Sequence, residues 1–360
     1  MVDKKNIGFM GHFGFGRGMS NTILMWAKML NPTYNIHVLK HGNNPIEEYY
    51  KTIPISITES EGYIVSPDTF KKWILDNKIE AVVFQEYKQW TDEPENLVKL
   101  AKSLGCKVYG YLVLEKFKKG QELDYDRVIC TSLTMQRFMR GNQVRKHTYI
   151  PFSIDLNEFS IVKRELTDTF TFFHCGGFLG YKNRKNTSVV LEAFEKLRKE
   201  NKNVKLLITS QVPLKFPNGL PEGVEVIDKN LTREKIVEMY YKADALVLPT
   251  RWESVGVNLL EALSAGLPVI TTDAPPMNEF IRTGLNGYLC KPNYTFYPDI
   301  TVPVAEVDAN TLKKNMGLIM NQTLYPLLAK NARAIAEKLY SLENNKKYFL
   351  NFLEKELNDN

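Results

Sequence analysis

The sequence predicts an α/β protein with two doubly wound parallel-sheet domains. Three observations predict it. Short apolar runs of strand length alternate with segments whose apolar residues recur every three or four positions, in both halves of the chain. Each half opens on an apolar run followed by a loop rich in glycine. The length, 360 residues, is about twice a typical domain of roughly 150.

The elements of the first half follow in order. Residues 7–11 are short and apolar, and the loop Phe13-Gly14-Phe15-Gly16-Arg17-Gly18 comes next. Ile23, Trp26, Ala27 and Leu30 then recur at i, i+3, i+4 and i+7, a helix for which Ser20 is the candidate N-cap. Further strands are expected at 36–39, 81–85, 107–113, 126–130 and 147–150, with helical patterns at 69–75 and 96–104. The alternation implies parallel strands joined by helices, a Rossmann-like arrangement.

The second half repeats the scheme. A strand is expected at 170–174, then a polar loop at 176–186, then a helix carrying Val189, Val190, Ala193, Phe194 and Leu197. Strands follow at 204–209, 224–227, 245–248 and 268–271, and helical patterns at 233–241, 257–265 and 277–281. Gly266 before Pro268 is a helix stop. Pro151 and the turn-rich residues after it mark the join, giving domains at 1–160 and 161–341. The last segment, 342–360, is a strong helix with Phe349, Phe352, Leu353 and Leu357 on one face, and it is expected to pack back on the first domain. The two domains are expected to face a cleft, with ligands at the carboxyl ends of the strands.

Composition narrows the function classes. Hydrophobic residues at 44% and charged residues at 24% exclude long-range disorder. The longest apolar stretch, 108–114, is too short to span a membrane and contains Gly110. The N-terminus has no apolar core of a secretory signal, so a cytoplasmic location is expected. In residues 1–160, 21 basic less 18 acidic residues give +3; the total is +6, leaving +3 for the rest. So even a spread, without a basic tail, argues against a nucleic-acid partner and suits an anionic small molecule or membrane surface. Cys106, Cys130, Cys175 and Cys290 are far apart and form no C-x-x-C pair, so neither a zinc site nor a disulfide framework is expected.

The chemistry concentrates in LPTRWESVGVNLLEALSAGLPVI, residues 248–270. A strand ends at Pro249, a short loop carries Glu253, and a helix opens at Gly256. Ser254, Val255, Gly256 and Val257 offer backbone donors at a helix start, where the dipole favours an anion. Glu253 and Glu261 are eight residues apart and can serve two parts of one extended ligand, a carboxylate accepting from vicinal hydroxyls. Taken alone, glutamates near a helix start are also an ordinary surface choice. A second element, Gly176-Gly177 through Lys182, Asn183, Arg184, Lys185 and Asn186, allows close backbone approach and supplies cations. Read without the first, it is equally a solvated basic loop.

The whole string resembles the nucleotide-binding signature of the retaining GT-B glycosyltransferases, the "glycosyl transferases group 1" family, also called family 4. Pro249, Glu253, Ser254, Gly256, Glu261, Ala262, Gly266, Pro268, Val269 and Ile270 all match. Lys185-Asn186 with Val189, Leu191, Ala193 and Phe194 resembles the family's cationic loop, although Phe178 stands where Arg is usual, leaving Arg184 or Lys182 to supply that charge. The hinge and the loop at Gly14–Gly18 are similar in outline. The resemblance implies a GT-B fold and transfer of a sugar from a nucleotide-diphosphate-sugar donor to a glycan, lipid-linked or other acceptor, with retention of configuration.

It also implies the roles. Glu253 lies by the donor sugar, Glu261 grips the ribose, and Lys185 and Arg184 meet the diphosphate with Gly256, Gly177 and Gly16. The base is expected near Asp228 and Asn230. His12 is the candidate for the catalytic His that many relatives carry in the first domain, with Glu115 the other residue at such a position. No cofactor and no metal are expected, because no D-x-D motif ends a strand. Basic stretches at Lys116, Lys118 and Lys119 and at Arg137, Arg140, Arg145 and Lys146 extend the expectation to a peripheral contact with the inner membrane face, solvated surface being the plainer reading. The alternative function is a non-catalytic nucleotide-sugar-binding protein on the same scaffold. A nicotinamide enzyme would need a complete glycine fingerprint, which is absent.

Overall fold

The computed structural model describes residues 4–14, 18–89, 96–160, 164, 166–178, 183–216 and 219–358. The chain divides into two compact units, 1–153 with 342–360, and 154–341. The division falls earlier than the sequence boundary at 160, because Ile154 already pairs with Ser341 of the second unit in a parallel bridge.

The first unit runs β1 (Asn6–His12), α1 (Gly18–Leu30), β2 (Asn35–His41), β3 (Ile55–Glu59), α2 (Pro67–Asp76), β4 (Ala81–Gln85), α3 (Leu97–Ser103), β5 (Lys107–Tyr111), β6 (Arg127–Cys130), α4 (Leu133–Gly141) and β7 (His147–Tyr149). Its seven strands are parallel, in the order β3-β2-β1-β4-β5-β6-β7. β4 and β5 read as near-continuous apolar sequence because helices cover both faces of such a sheet. β3 has no counterpart among the sequence-predicted strands. It is a half-exposed edge strand whose short Ile-Ser-Ile-Thr alternation carries little signal.

Ser20 does not cap α1 but lies inside it. Its Oγ accepts from the Gly14 N–H at 2.9 Å and is 2.8 Å from the Gly14 carbonyl, so it holds Gly14 against the first turn of α1 instead. The helix therefore starts at Gly18, earlier than the capping rule placed it.

The second unit runs β8 (Phe170–Gly177), α5 (Thr187–Glu200), β9 (Val204–Ser210), β10 (Val224–Asp228), α6 (Arg233–Lys242), β11 (Ala245–Leu248), α7 (Val257–Ser264), β12 (Val269–Thr272), α8 (Met277–Phe280), β13 (Gly287–Cys290), β14 (Asn293–Thr295), β15 (Val304–Glu306), α9 (Ala309–Ile319) and α10 (Tyr325–Ile335). Six parallel strands take the order β10-β9-β8-β11-β12-β13, and β14 and β15 form a separate antiparallel ribbon. Phe172, Leu206, Ile208, Val247 and Ile270 face Val190 and Phe194 of α5 and Leu312 of α9 in one core. Both sheets thus repeat the strand order 3-2-1-4-5-6 of a doubly wound fold.

The carboxyl ends of α6 and α7 are tied down by two arginines. Arg164 donates to the carbonyls of Tyr240, Ala243 and Ala265, and Arg333 to those of Ser264 and Phe159. These bonds satisfy terminal carbonyls that a helix leaves orphaned.

After the second unit, α11 (Leu342–Asn358) belongs to the first. Phe349 packs edge-on against Trp26 at 5.7 Å and Phe352 against Tyr109 at 4.9 Å. Leu353 is fully buried on the same face. Truncation of such a side chain costs about 2–5 kcal/mol. Leu353→Ala is therefore expected to lower the urea midpoint of the first unit and leave the second unit's transition in place, measured by a fluorescence probe in each unit.

Candidate functional site

In an open parallel sheet the crevice for ligands lies beyond the carboxyl ends of the strands where their order reverses. In the second unit that place is between β8 and β11. Residues 183–186 follow β8 in the chain, and the segment 249–256 leaves β11. They are stitched together: the Arg251 N–H donates to the Arg184 carbonyl at 2.9 Å, and Thr250 Oγ1 lies 3.1 Å from the same oxygen. Strand order thus juxtaposes residues that are far apart in sequence.

Glu253 is the centre of this arrangement. It is 7% exposed. Lys185 Nζ donates to Glu253 Oε1 at 2.6 Å, Arg184 Nη1 is 3.5 Å from Oε2, and Thr250 Oγ1 is 3.0 Å from Oε1. Burial opposes ionisation of this carboxyl, but the charges of Arg184 and Lys185, with the Lys185 and Thr250 hydrogen bonds, outweigh it and hold the group at about 2. The three charges sum to one net positive site in a partly dry environment.

Two helices open into it, and their starts differ from those of five capped helices; α8 and α10 also lack a side-chain cap but start in right-handed backbone. α2, α3, α4, α6 and α9 begin with Ser66, Asn96, Ser132, Thr232 and Asp308, whose side chains accept from the first turn. α5 and α7 instead begin after Asn186 and Gly256 in left-handed backbone, with no side-chain cap. Gly256 takes φ +88°, a conformation that L side chains rarely adopt. Uncapped first-turn N–H groups are donors for an anion. His174, fully buried, organises the α5 start. Its Nδ1 is 2.8 Å from the Val247 carbonyl, which only a donor can satisfy, so Nε2 accepts from Thr187 Oγ1 at 2.8 Å. Burial, with Lys185 nearby, lowers its pKa to about 4, so the ring adds no charge at neutral pH.

Glu261, on α7, is 3% exposed. Arg233 Nη1 bonds its Oε1, and the Tyr240 hydroxyl donates to its Oε2 at 2.8 Å. Arg233 is held in turn by Glu158, which accepts from Nε at 2.9 Å and Nη2 at 2.8 Å. Arg233, Tyr240, Glu158, Thr250 and His174 were not among the sequence-derived candidates. A helix over 233–241 is expected from the sequence, but the meeting of Arg233 and Tyr240 with Glu261 depends on strand order.

Of the remaining candidates, Ser254 and Val255 are buried in the loop before α7, and Val257 is its first residue. Gly177 ends β8 at φ +56°, and its carbonyl accepts from the Gln211 N–H at 2.7 Å. Gln211 Nε2 donates to Asn230 Oδ1 at 2.9 Å, so Gly177 and Asn230 share one neighbour, while Asp228 is exposed at the end of β10. Gly16 and Lys182 lie outside the described residues. His12 ends β1 in the first unit, buried, with Nδ1 3.1 Å from the His41 carbonyl and its ring stacked on His41. Gly42 makes room for that ring: a Cβ there would sit 2.3 Å from His12 Cε1. Glu115 is likewise buried in the first unit. Among the described residues, no three His, Cys, Asp or Glu side chains are grouped to hold a metal ion, and no helix is long and apolar enough to cross a membrane.

The depressed Glu253 value has a sign that can be tested. A carboxyl held below its unfolded value of about 4.3 stabilises the fold fully above that pH, and the contribution is lost as pH falls toward about 2. Lys185→Met removes one of the two cations, so the Glu253 carboxyl is expected to titrate at higher pH, measured by carbon-detected NMR of the side-chain carboxyls.

Comparison with known proteins finds a family model that matches this part of the chain. Residues 169–296 match the family model "Glycosyl transferases group 1", a span that contains both loops and both glutamates. Among curated proteins, the chain is similar to alpha-monoglucosyldiacylglycerol synthase of Streptococcus pneumoniae, 28% identical over 156 residues, 41% of this chain and 34% of that one. The chain's matches span less than two thirds of the curated relatives' lengths, from 15% to 58%. Among solved structures, a glycosyltransferase from Rickettsia africae superposes with TM-score 0.76 at 14% identity, covering 100% of both chains. Anabaena Alr3699/HepE in complex with UDP and glucose superposes with TM-score 0.72 at 13% identity, covering 97% of this chain and 99% of that one. At such identities these likenesses show a shared fold. The chain carries two parallel-sheet α/β domains of the GT-B type, and its residues 169–296 match the glycosyl transferases group 1 family model.

Proposed function

We propose that this protein is a hexosyltransferase that moves a sugar from a nucleotide-diphosphate-sugar donor to a glycan or lipid-linked acceptor, with retention of anomeric configuration. The observation that carries the reading is the buried Glu253 carboxylate held by Lys185 and Arg184 between two uncapped helix starts. In this reading the diphosphate sits on Lys185, Arg184 and the N–H groups at Gly256 and Gly177. Glu253 orients the donor sugar, Glu261 binds the ribose, and the base lies toward Asp228 and Asn230.

The chemistry asked of the protein is positioning and charge stabilisation. The bond from the anomeric carbon to the leaving phosphate oxygen breaks, and the acceptor oxygen bonds that carbon from the same face. The acceptor hydroxyl proton passes to the departing phosphate. The nucleoside diphosphate leaves with negative charge that Lys185, Arg184 and the α7 dipole absorb. The reading assigns this task to cations of the chain, so a chelator is expected to leave the rate unchanged. A rate abolished by chelation and restored by a divalent ion would count against it.

Binding tests the donor site directly. The complex of the Anabaena neighbour with UDP and glucose makes UDP the first probe, with GDP and ADP beside it. One of the three is expected to raise the thermal midpoint, and Glu261→Ala is expected to weaken its binding at least tenfold by calorimetry. Unchanged affinity would remove Glu261 from the site. Hydrolysis of the donor by the purified protein separates an enzyme from a non-catalytic nucleotide-sugar binder.

A lipid-linked acceptor draws support from one relative, named for a glucosylated diacylglycerol. It also draws support from the first unit, where Lys118, Lys119, Arg137, Arg140, Arg145 and Lys146 are exposed, as are Leu123 and Leu133. Exposed cations and exposed apolar side chains on one unit suit a peripheral contact with an anionic surface. Flotation with phosphatidylglycerol vesicles is expected to carry the protein upward and neutral vesicles are not; equal behaviour on both would remove the membrane contact.

A further inference from the structure

We propose that Tyr240 and Arg233 are positioning residues that preset the Glu261 carboxylate for a vicinal diol, so that a ribose is accepted and a 2′-deoxyribose is penalised. The inference rests on the reading of Glu261 as the ribose-binding residue. The geometry is a matter of counting acceptor sites. An ionised carboxylate has about four, two on each oxygen. Arg233 takes one on Oε1 and Tyr240 takes one on Oε2. One site is left on each oxygen, which matches the two hydroxyl donors of a vicinal diol.

The two donors are themselves held. Tyr240 is fully buried, its ring edge-on to Phe173 at 5.3 Å and Phe159 at 6.3 Å, and Asn258 Nδ2 lies 3.3 Å from its hydroxyl oxygen. With that site filled by Asn258, the Tyr240 proton is directed to Glu261. Arg233 is only 9% exposed at its side chain and lies over the Phe159 ring at 5.6 Å. Glu158 takes its Nε and Nη2, which leaves Nη1 to meet Glu261. The guanidinium is planar, so fixing one edge fixes the other. A carboxylate anchored on both oxygens cannot rotate away from the diol, and the ligand need not order it on binding.

The arrangement predicts a specific coupling. Calorimetric titrations of the full chain with UDP, GDP and ADP and their 2′-deoxy counterparts measure the deoxy penalty. The wild type is expected to bind the preferred ribonucleotide about tenfold more tightly than its deoxy form. Tyr240→Phe keeps both ring contacts and removes only the hydroxyl. It is expected to weaken the ribonucleotide severalfold while leaving the deoxy form as in the wild type, so that the penalty shrinks. A merely structural role would weaken both alike. Glu158→Gln, which loosens Arg233 without touching Glu261, is the second variant and is expected to shift the penalty the same way. A wild-type penalty that persists undiminished in both variants overturns the positioning role and leaves the ribose reading standing. A wild type that binds both forms equally overturns the ribose reading itself.

Discussion

A carboxylate without water must be given partners or it will take a proton, and much of the second unit serves that requirement at Glu253. Lys185 and Arg184 arrive from the loop after β8, while Thr250 comes from Glu253's own loop. The two loops can meet only because the strand order reverses between β8 and β11. The ion pair therefore depends on the topology, and the topology in turn exposes the helix starts that flank it. Removing one partner from such a cluster leaves a buried charge uncompensated, which is far more costly than losing a surface pair.

The contrast between helix starts gives this site its character. Five helices close their first turn with a Ser, Thr, Asn or Asp side chain. α5 and α7 do not, and both lie beside a cluster in which two cations share a buried acid. A side-chain cap would compete for the donors that an incoming anion would use. The left-handed residues at Asn186 and Gly256 turn the chain into each helix without supplying such a competitor.

Part of this was legible in the sequence, for a physical reason. Glu253, Gly256, Glu261 and Lys185 lie at strand ends and helix starts, where backbone conformation limits the residue choice, so they recur as a string. The alternation of apolar runs predicted both sheets except β3, whose half-exposed edge leaves little pattern, and β13, a four-residue edge strand that opens on Gly287. Ser20 misled because a serine near a helix start has other acceptors and donors to satisfy, here those of Gly14. Arg233, Tyr240 and Glu158 were silent because each is an ordinary residue on its own element. Their network spans 75 positions between Glu158 and Arg233 and 28 between Arg233 and Glu261, and no local rule joins such distances.

The return of α11 to the first unit has a consequence for biosynthesis. Trp26 and Tyr109 wait for Phe349 and Phe352, which the ribosome makes only after the entire second unit. The nascent amino-terminal unit must therefore hold an uncovered aromatic face while the later one is translated and folds. The same return means that severing the chain between Ser153 and Ile154 would not by itself free the pieces, since the last helix would still be seated as a noncovalent staple in the unit from which it had been cut.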